Sequence, residues 1–172
     1  FKCGTRLYLD KTHPNIWIAD KLKRAFPRAL FVGIERNPYA TVASMMKHEG
    51  VSAWHVNWRD FPVPNRFLGI SAEEARFYED IPFASKCAMR WVSHHSKMNQ
   101  LRVSLGDSLK VISYEDFAHE TEKVIAELQQ FLGLRDPIPV PDVKVESLRK
   151  WEEQLSCQQV EQICDTVGFP PP

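Results

Sequence analysis

The residues with the clearest chemical potential lie in the segment FVGIERNPYATVAS, residues 31–44. Arg36 follows an apolar run, and Asn37-Pro38 indicates a helix start, with Asn as the N-cap and Pro at the first helical position. A guanidinium is a planar fork of donors that suits a phosphate. Ser44 lies about 9 Å along the helix at 1.5 Å per residue, so an anion would rest along the helix flank between Arg36 and Ser44. The alternative is a surface arginine and a neutral helix serine.

The elements that must position these residues alternate between strands and helices. Apolar runs predict strands at 6–10, 29–34 and 109–114, and apolar residues at helical spacing predict helices that begin near residues 14, 38, 83, 121 and 156. This alternation is typical of an α/β fold with a parallel sheet. The strands at 29–34 and 109–114 are apolar enough to be buried on both faces. Residues 50–82 are irregular and aromatic, which indicates a lid or binding wall or a small satellite core.

Three polar residues lie at or just past the carboxyl ends of the predicted strands, namely His13, Arg36 and Tyr114. In open sheets of this class ligands bind outside those ends, so we expect the three side chains to converge on one rim. An imidazole titrates near neutral pH and can serve as a general base, and a tyrosine offers a ring and a hydroxyl. The alternatives are a helix-flanking histidine without a role and a core tyrosine at a strand end.

The composition indicates that any charged site is local. A chain of 172 residues suffices for one domain with a core, and its formal net charge of zero gives no field that would favour nucleic acid as a partner. No apolar stretch reaches the roughly 20 residues of a membrane-spanning helix, so we expect no membrane span. The four cysteines form no C-x-x-C pair. We therefore expect no metal site, reduced thiols and a cytoplasmic location.

Several motifs in this order resemble those of the sulfotransferases that use 3′-phosphoadenosine 5′-phosphosulfate. IERNPYATVAS at 34–44 is similar to their 3′-phosphate-binding motif, DKTHPN at 10–15 to the Lys-Thr-His segment that carries the catalytic base, and VISYEDF at 111–117 to the strand that ends near the adenine. FLGL at 131–134 and WEEQLSCQQVEQI at 151–163 also fit the bacterial-type branch. The resemblance implies a P-loop-kinase-like sulfotransferase fold, in which a parallel sheet is flanked by helices. It also implies sulfuryl transfer to a hydroxyl or amine of a small-molecule or glycan acceptor.

The resemblance assigns roles to individual residues. It implies that His13 is the catalytic base and that Lys11 balances charge on the sulfuryl oxygens. It also implies that 3′-phosphoadenosine 5′-phosphosulfate is a co-substrate and that its nucleotide is bound by Arg36, Ser44 and Tyr114. Many relatives have a Lys-Thr-Pro arrangement and take the base from elsewhere, often a carboxylate. A carboxylate therefore stays an alternative to His13, and a solvated lysine stays an alternative for Lys11.

Two further pairs of charged or titratable residues could contribute to the site. Arg149-Lys150 could help hold the 3′-phosphate, as a late basic segment does in relatives, but the glycines of that segment are absent and solvated charge is favoured. His94-His95 are adjacent in a helix and cannot both point at one ligand. We predict that these histidines are structural or exposed.

The family's phosphosulfate-binding loop has no good counterpart in the chain. FKCGTR at 1–6 shares a lysine, a glycine and a threonine with it, but a helix should follow and a strand is predicted instead. We therefore expect residues 1–172 to be the C-terminal portion of one sulfotransferase domain, N-terminally incomplete, with an aromatic insertion at about 50–82. Taken alone, this portion should be inactive, with a gap or an exposed edge between the strands at 29–34 and 109–114. The alternative function is a noncatalytic 3′-phosphonucleotide-binding remnant, and a nucleoside-phosphate kinase is a weaker third option.

Overall fold

The computed structural model describes residues 8–12 and 14–171. Helices flank a small sheet of two parallel strands in these residues, which confirms the predicted α/β class. In chain order they are α1 (Asn15–Ala25), β1 (Phe31–Glu35), α2 (Pro38–Met46), α3 (Glu49–Val56), α4 (Phe83–Leu105), β2 (Leu109–Ser113), α5 (Tyr114–His119), α6 (Thr121–Leu132), α7 (Trp151–Gln154) and α8 (Cys157–Val167). Short 3-10 turns connect several of them. Over the described ranges, no helix is both long and apolar enough to cross a membrane.

The two strands of the described residues pair directly with each other. β1 and β2 are parallel, with Phe31 opposite Leu109 and Glu35 opposite Ser113. The expectation of a gap or an exposed edge between them is therefore wrong, because the facing N–H and C=O groups of the two strands satisfy one another. The strand predicted at 6–10 is also wrong for its described part. Residues 8–10 lie outside any strand, and Tyr8 and Leu9 are 91% and 90% exposed.

Among the described residues, packing covers β1 on one face only. Its central Gly33 faces Met98 of α4 so closely that an added Cβ would lie 2.8 Å from the Met98 sulfur. Val32 and Ile34 point to the opposite face, because side chains alternate along a strand, and they are 43% and 65% exposed. The prediction that this strand is buried on both faces is wrong, and α4 packs tightly on the glycine side because no side chain separates it from the strand.

The main core lies between α2, α4 and α8. It contains Tyr39 and Val42 of α2, Cys87 of α4 and Ile163 of α8, all fully buried. The core face of α2 therefore agrees with the helical spacing of its apolar residues. The start of α8 agrees with the sequence as well, because Ser156 forms a complete capping box at its N-terminus.

Residues 49–82 form a helix and a satellite core rather than an irregular lid. α3 occupies the beginning of this stretch, where no helix was predicted, and the turns that follow bury Trp58, Leu68, Ile70 and Tyr78 together. Gly69 allows this stretch to lie directly on α4. Its φ is +75°, and a Cβ added at this position would lie only 2.3 Å from the Met89 carbonyl oxygen, so a residue with a side chain would not fit. The structure thus favours the satellite-core alternative for these aromatic residues.

A buried histidine links α3 to the satellite core. The Nδ1 atom of His55 is hydrogen-bonded to the Tyr78 hydroxyl at 2.5 Å, and its Nε2 atom is buried without a partner among the described residues. Burial, followed by the positive charges of Arg90 and Lys86, lowers the pKa of His55 to about 4. His55 is therefore neutral in the folded protein down to moderately acidic pH.

We expect the free energy of unfolding to decrease as the pH falls from about 6.5 to about 4. The unfolded chain binds a proton at His55 in this window while the folded chain does not, because the pKa falls from 6.5 to about 4 on folding. This difference corresponds to a loss of roughly 3 kcal/mol by pH 4. Urea unfolding at a series of pH values should show a shallower pH dependence in His55→Gln than in the wild type.

The matched control is His119→Gln, which changes an exposed histidine of α5. It should keep the pH dependence of the wild type. Equal slopes in the wild type and in His55→Gln would show that His55 does not cause the acid sensitivity.

Candidate functional site

The connection between β1 and α2 is short and is fixed by hydrogen bonds from three elements. The side-chain oxygen of Asn37 accepts a hydrogen bond from the Ala40 backbone N–H at 3.1 Å, as an N-cap should. The backbone N–H of Asn37 donates to Glu115 of α5 at 2.9 Å. The indole N–H of Trp91 in α4 donates to the carbonyl oxygen of Arg36 at 3.1 Å. The backbone of Arg36 is thus held in place, and its side chain is presented from a rigid turn.

The side chain of Arg36 extends over the ring of Tyr114. Its guanidinium carbon lies 4.6 Å from the ring centroid, a cation–π distance, and its Nη2 group donates to the carbonyl oxygen of Ser147 at 3.5 Å. Its Nε–H is buried and has no partner among the described residues. A buried donor without an acceptor costs about 1–3 kcal/mol.

The three residues predicted to bind the nucleotide line one cavity. This smaller cavity has a volume of about 300 Å³, and Arg36, Ser44 and Tyr114 all contribute to its wall. Two lysines join them, Lys47 from the end of α2 and Lys150 from just before α7. None of the described residues that line the cavity is acidic. The structure therefore gathers a compact group of cations and hydroxyls around open space.

The basic pair before α7 divides between two environments. Arg149 is paired with Glu152, with 2.6 Å between its Nε and the carboxylate oxygen Oε1, whereas Lys150 lines the smaller cavity. Both side chains are exposed, as the prediction of solvated charge expects, and Lys150 in addition faces the smaller cavity. Lys150 differs because the chain turns into α7 at this point and brings residue 150 beside α2.

A larger cavity of about 410 Å³ lies on the neighbouring flank of α2. It shares Arg36 and Ser44 with the smaller one, so the two cavities meet along these side chains. Its apolar wall is formed by residues from five elements, namely Ile16, Ile34, Met45, Val51, Trp91 and Met98. Its polar wall includes His48, His94 and His95.

The two adjacent histidines of α4 both line this larger cavity, although the sequence predicted structural or exposed side chains. His94 bonds to the Arg90 carbonyl oxygen through its Nδ1 at 2.8 Å, so it does support the helix as well. His95 stacks on Trp91 at 4.8 Å between ring centroids. The cavity extends far enough around α4 to be lined by residues on two of its faces.

A carboxylate lies at the end of β1 beside His95. Glu35 approaches the Nδ1 atom of His95 at 3.3 Å and accepts two hydrogen bonds from Arg102, at 2.9 and 2.7 Å. The Arg102 hydrogen bonds are the main reason that the pKa of Glu35 is lowered. The negative charge of Glu35 is therefore compensated from outside the cavity.

Of the two residues predicted to be catalytic, only Lys11 belongs to the described residues, and it lies apart from the nucleotide-binding group. Lys11 is exposed in the segment before α1 and does not line either cavity. His13 lies outside the described residues, so its predicted role stays a prediction. Ile16, in the first turn of α1, does line the larger cavity.

Sequence reasoning missed several residues of the two cavities. Lys47 follows Ser44 by three positions and shares its side of α2, so helical spacing offered a signal for it. Glu35 and His95 come into contact because α4 packs beside β1. The residues next to them in the sequence do not predict that contact.

Comparison with known families gives one match. The model of the sulfotransferase family matches residues 2–137, which is more than half of the chain. No curated protein and no solved structure gives a significant match.

We expect Asn37→Ala to reduce the free energy of unfolding by about 1 kcal/mol, because the first turn of α2 loses its side-chain acceptor. Chemical denaturation measures this loss. The matched control is Asn57→Ala, which removes an exposed hydrogen bond to the Ala53 carbonyl oxygen and should cost less than about 0.5 kcal/mol. A cost at Asn37 no larger than that at Asn57 would show that the cap contributes little to the stability of this turn.

Proposed function

Since the chain belongs to the sulfotransferase family, we propose that it takes a sulfuryl group from 3′-phosphoadenosine 5′-phosphosulfate and transfers it to a hydroxyl or amine acceptor. The observation that carries the choice of donor is the set of cations, Arg36, Lys47 and Lys150, in a cavity wall whose described residues include no acidic one. Such a set favours an oxyanion as the ligand.

The smaller cavity has the charge that a 3′-phosphate requires. Arg36, Lys47 and Lys150 line it together with the hydroxyl of Ser44, and no acidic residue of the described chain shares its wall. Charge-assisted hydrogen bonds from such groups are roughly twice as strong as neutral ones. In this proposal Arg36 and Ser44 bind the 3′-phosphate, and the lysines add to the attraction.

The contact between Tyr114 and Arg36 also supports the assignment of Arg36 to the 3′-phosphate. Its ring lies under the guanidinium, which restrains a side chain that otherwise has many rotamers and so lowers the entropy lost on binding. Tyr114 also lines the cavity, where its ring and hydroxyl are available to an adenine.

The proposed reaction is an in-line displacement at sulfur. The acceptor oxygen or nitrogen forms a bond to the sulfur, while the bond from sulfur to the phosphate oxygen breaks and its electron pair leaves with adenosine 3′,5′-bisphosphate. His13 takes the proton of the acceptor, whereas the role proposed for Lys11 at the sulfuryl oxygens requires a position nearer the cavities than the exposed one that it has here. Positioning and charge stabilisation supply most of the rate, as in phosphoryl transfer.

A nucleotide-binding protein without catalysis is the second candidate. The position of Lys11 favours it, because this lysine is exposed and separate from both cavities. The two candidates differ in a direct assay. Both bind adenosine 3′,5′-bisphosphate, but only the enzyme consumes the sulfate donor in the presence of an acceptor.

In the complete protein, we expect Arg36→Ala to weaken the binding of adenosine 3′,5′-bisphosphate about a hundredfold, since charged hydrogen bonds worth roughly 3 kcal/mol are lost. The affinity for AMP, which lacks the 3′-phosphate, should change little. Calorimetry with both nucleotides measures the difference.

The matched control for this test is Arg28→Ala, which removes an exposed arginine that precedes β1. It should leave both affinities unchanged. Equal losses for the two nucleotides in Arg36→Ala would remove Arg36 from the 3′-phosphate site.

In the complete enzyme, we expect His13→Ala to lower kcat by about 10²- to 10⁴-fold with little change in nucleotide affinity, because a general base acts in the transition state and not in donor binding. Steady-state kinetics at saturating acceptor, beside calorimetry, separates the two effects. An unchanged kcat, with chemistry shown to be rate-limiting, would transfer the role of base to another residue, with a carboxylate as the next candidate.

A further inference from the structure

The indole of Trp91 holds the carbonyl oxygen of Arg36 in place. Its N–H donates to that oxygen at 3.1 Å. The Thr41 hydroxyl lies 3.5 Å from the same oxygen but 2.8 Å from the carbonyl oxygen of Asn37, and a hydroxyl has one proton to donate. Trp91 is therefore the principal side-chain donor to this carbonyl among the described residues. A rotation of its indole would release the backbone from which the guanidinium of Arg36 extends.

The ring of Trp91 is itself held by His95, which lies one turn further along α4. The two rings are stacked, with 4.8 Å between their centroids and 7° between their planes. Phe169 contacts Trp91 as well, but its ring centroid is 6.2 Å away and the contact is T-shaped. His95 makes the closer of the two contacts and covers a face of the indole, so the orientation of its ring limits the orientations open to Trp91.

Both nitrogen atoms of the His95 ring have partners that fix its orientation. Nδ1 lies 3.3 Å from a carboxylate oxygen of Glu35, and Nε2 lies 3.2 Å from the side-chain nitrogen of Asn99. The side-chain oxygen of Asn99 accepts a hydrogen bond from Arg102 at 2.8 Å, so the NH₂ group of this amide faces the histidine. Nε2 is therefore the acceptor, and Nδ1 carries the proton that faces Glu35.

Arg102 anchors the far end of this series of contacts. It donates to both carboxylate oxygens of Glu35, at 2.9 and 2.7 Å, which is the bidentate arrangement that suits an arginine and a carboxylate. Because Glu35 directly precedes Arg36, one side of α4 holds the side chain of the first and the carbonyl oxygen of the second. The α4 residues of this series follow one another at three- or four-residue spacing and are Trp91, His95, Asn99 and Arg102.

From these contacts we propose that His95 is a positioning residue for the anion site, because it fixes the indole of Trp91 and the indole fixes the turn that carries Arg36. This assignment rests on the proposed binding of the 3′-phosphate by Arg36. His95 does not line the smaller cavity, so it acts through Trp91 and not by contact with the phosphate. The benefit is preorganisation, since a cation already held in its binding geometry loses less entropy when the ligand arrives.

The test is a double-mutant cycle in the complete protein. Trp91→Phe removes the indole N–H, and His95→Ala removes the stacked ring. Calorimetry measures the affinities of both single variants and of the double variant for adenosine 3′,5′-bisphosphate and for AMP. The matched control is Lys97→Gln, which breaks an ion pair between α4 and Asp20 of α1 and leaves the contacts between α4 and β1 in place.

Each single substitution should weaken the binding of adenosine 3′,5′-bisphosphate about fivefold, the effect of one neutral hydrogen bond, and should change the affinity for AMP less than about twofold. Because both substitutions act through the same contact, the double variant should lose no more than Trp91→Phe alone. Lys97→Gln should leave both affinities unchanged. Additive losses in the double variant, an unchanged affinity in His95→Ala, or an equal loss for AMP would show that His95 does not position Arg36.

Hydrogen exchange separates this assignment from the donor proposal. The backbone N–H of Asn37 donates to Glu115, and its exchange rate reports local opening of the turn without any ligand. Exchange should be faster in His95→Ala and in Trp91→Phe than in the wild type, and unchanged in Lys97→Gln. If the wild type binds no nucleotide, the donor proposal is wrong. In that case faster exchange in His95→Ala would still support the positioning of the turn, and equal rates would overturn it.

Discussion

Both cavities depend on one turn, in which the chain passes from β1 to α2 through Arg36. The carbonyl oxygen of Arg36 accepts from Trp91, and the next residue, Asn37, caps the helix and donates to Glu115. α4 and α5 therefore hold the same backbone position from different directions. Because Arg36 contributes to the walls of both cavities, a shift of this turn would alter both of them at once.

The sequence predicted the elements whose signals are local. Asn37-Pro38 begins α2, Ser156 begins α8, and Gly133 ends α6 in the left-handed conformation that glycine adopts most easily. α3 was missed because its N-cap is His48, whose ring nitrogen accepts from the Val51 N–H at 3.4 Å, and histidine is not a usual capping residue. The direct pairing of β1 with β2 was missed because strand order is a long-range property that apolar runs alone do not encode.

The candidate site was predictable where its residues follow the ends of elements. Arg36 and Tyr114 come directly after β1 and β2, so the parallel arrangement brings them to one edge, and helical spacing adds Ser44. Lys150 and His95 were not predictable in the same way. Their positions depend on how α7 and α4 pack against α2 and β1, and the neighbouring residues in the sequence give no indication of that packing.

The division of α2 into two flanks has a consequence for how such a protein can diverge. Substitutions at Thr41, Met45 or His48 reshape the larger cavity, while Ala40 and Lys47 keep the smaller one intact. One short helix therefore carries two separable sets of positions, and a substitution in either set changes one cavity while it leaves the other in place. Ser44 belongs to both sets, so it is the position of α2 at which a single substitution would alter the two cavities together.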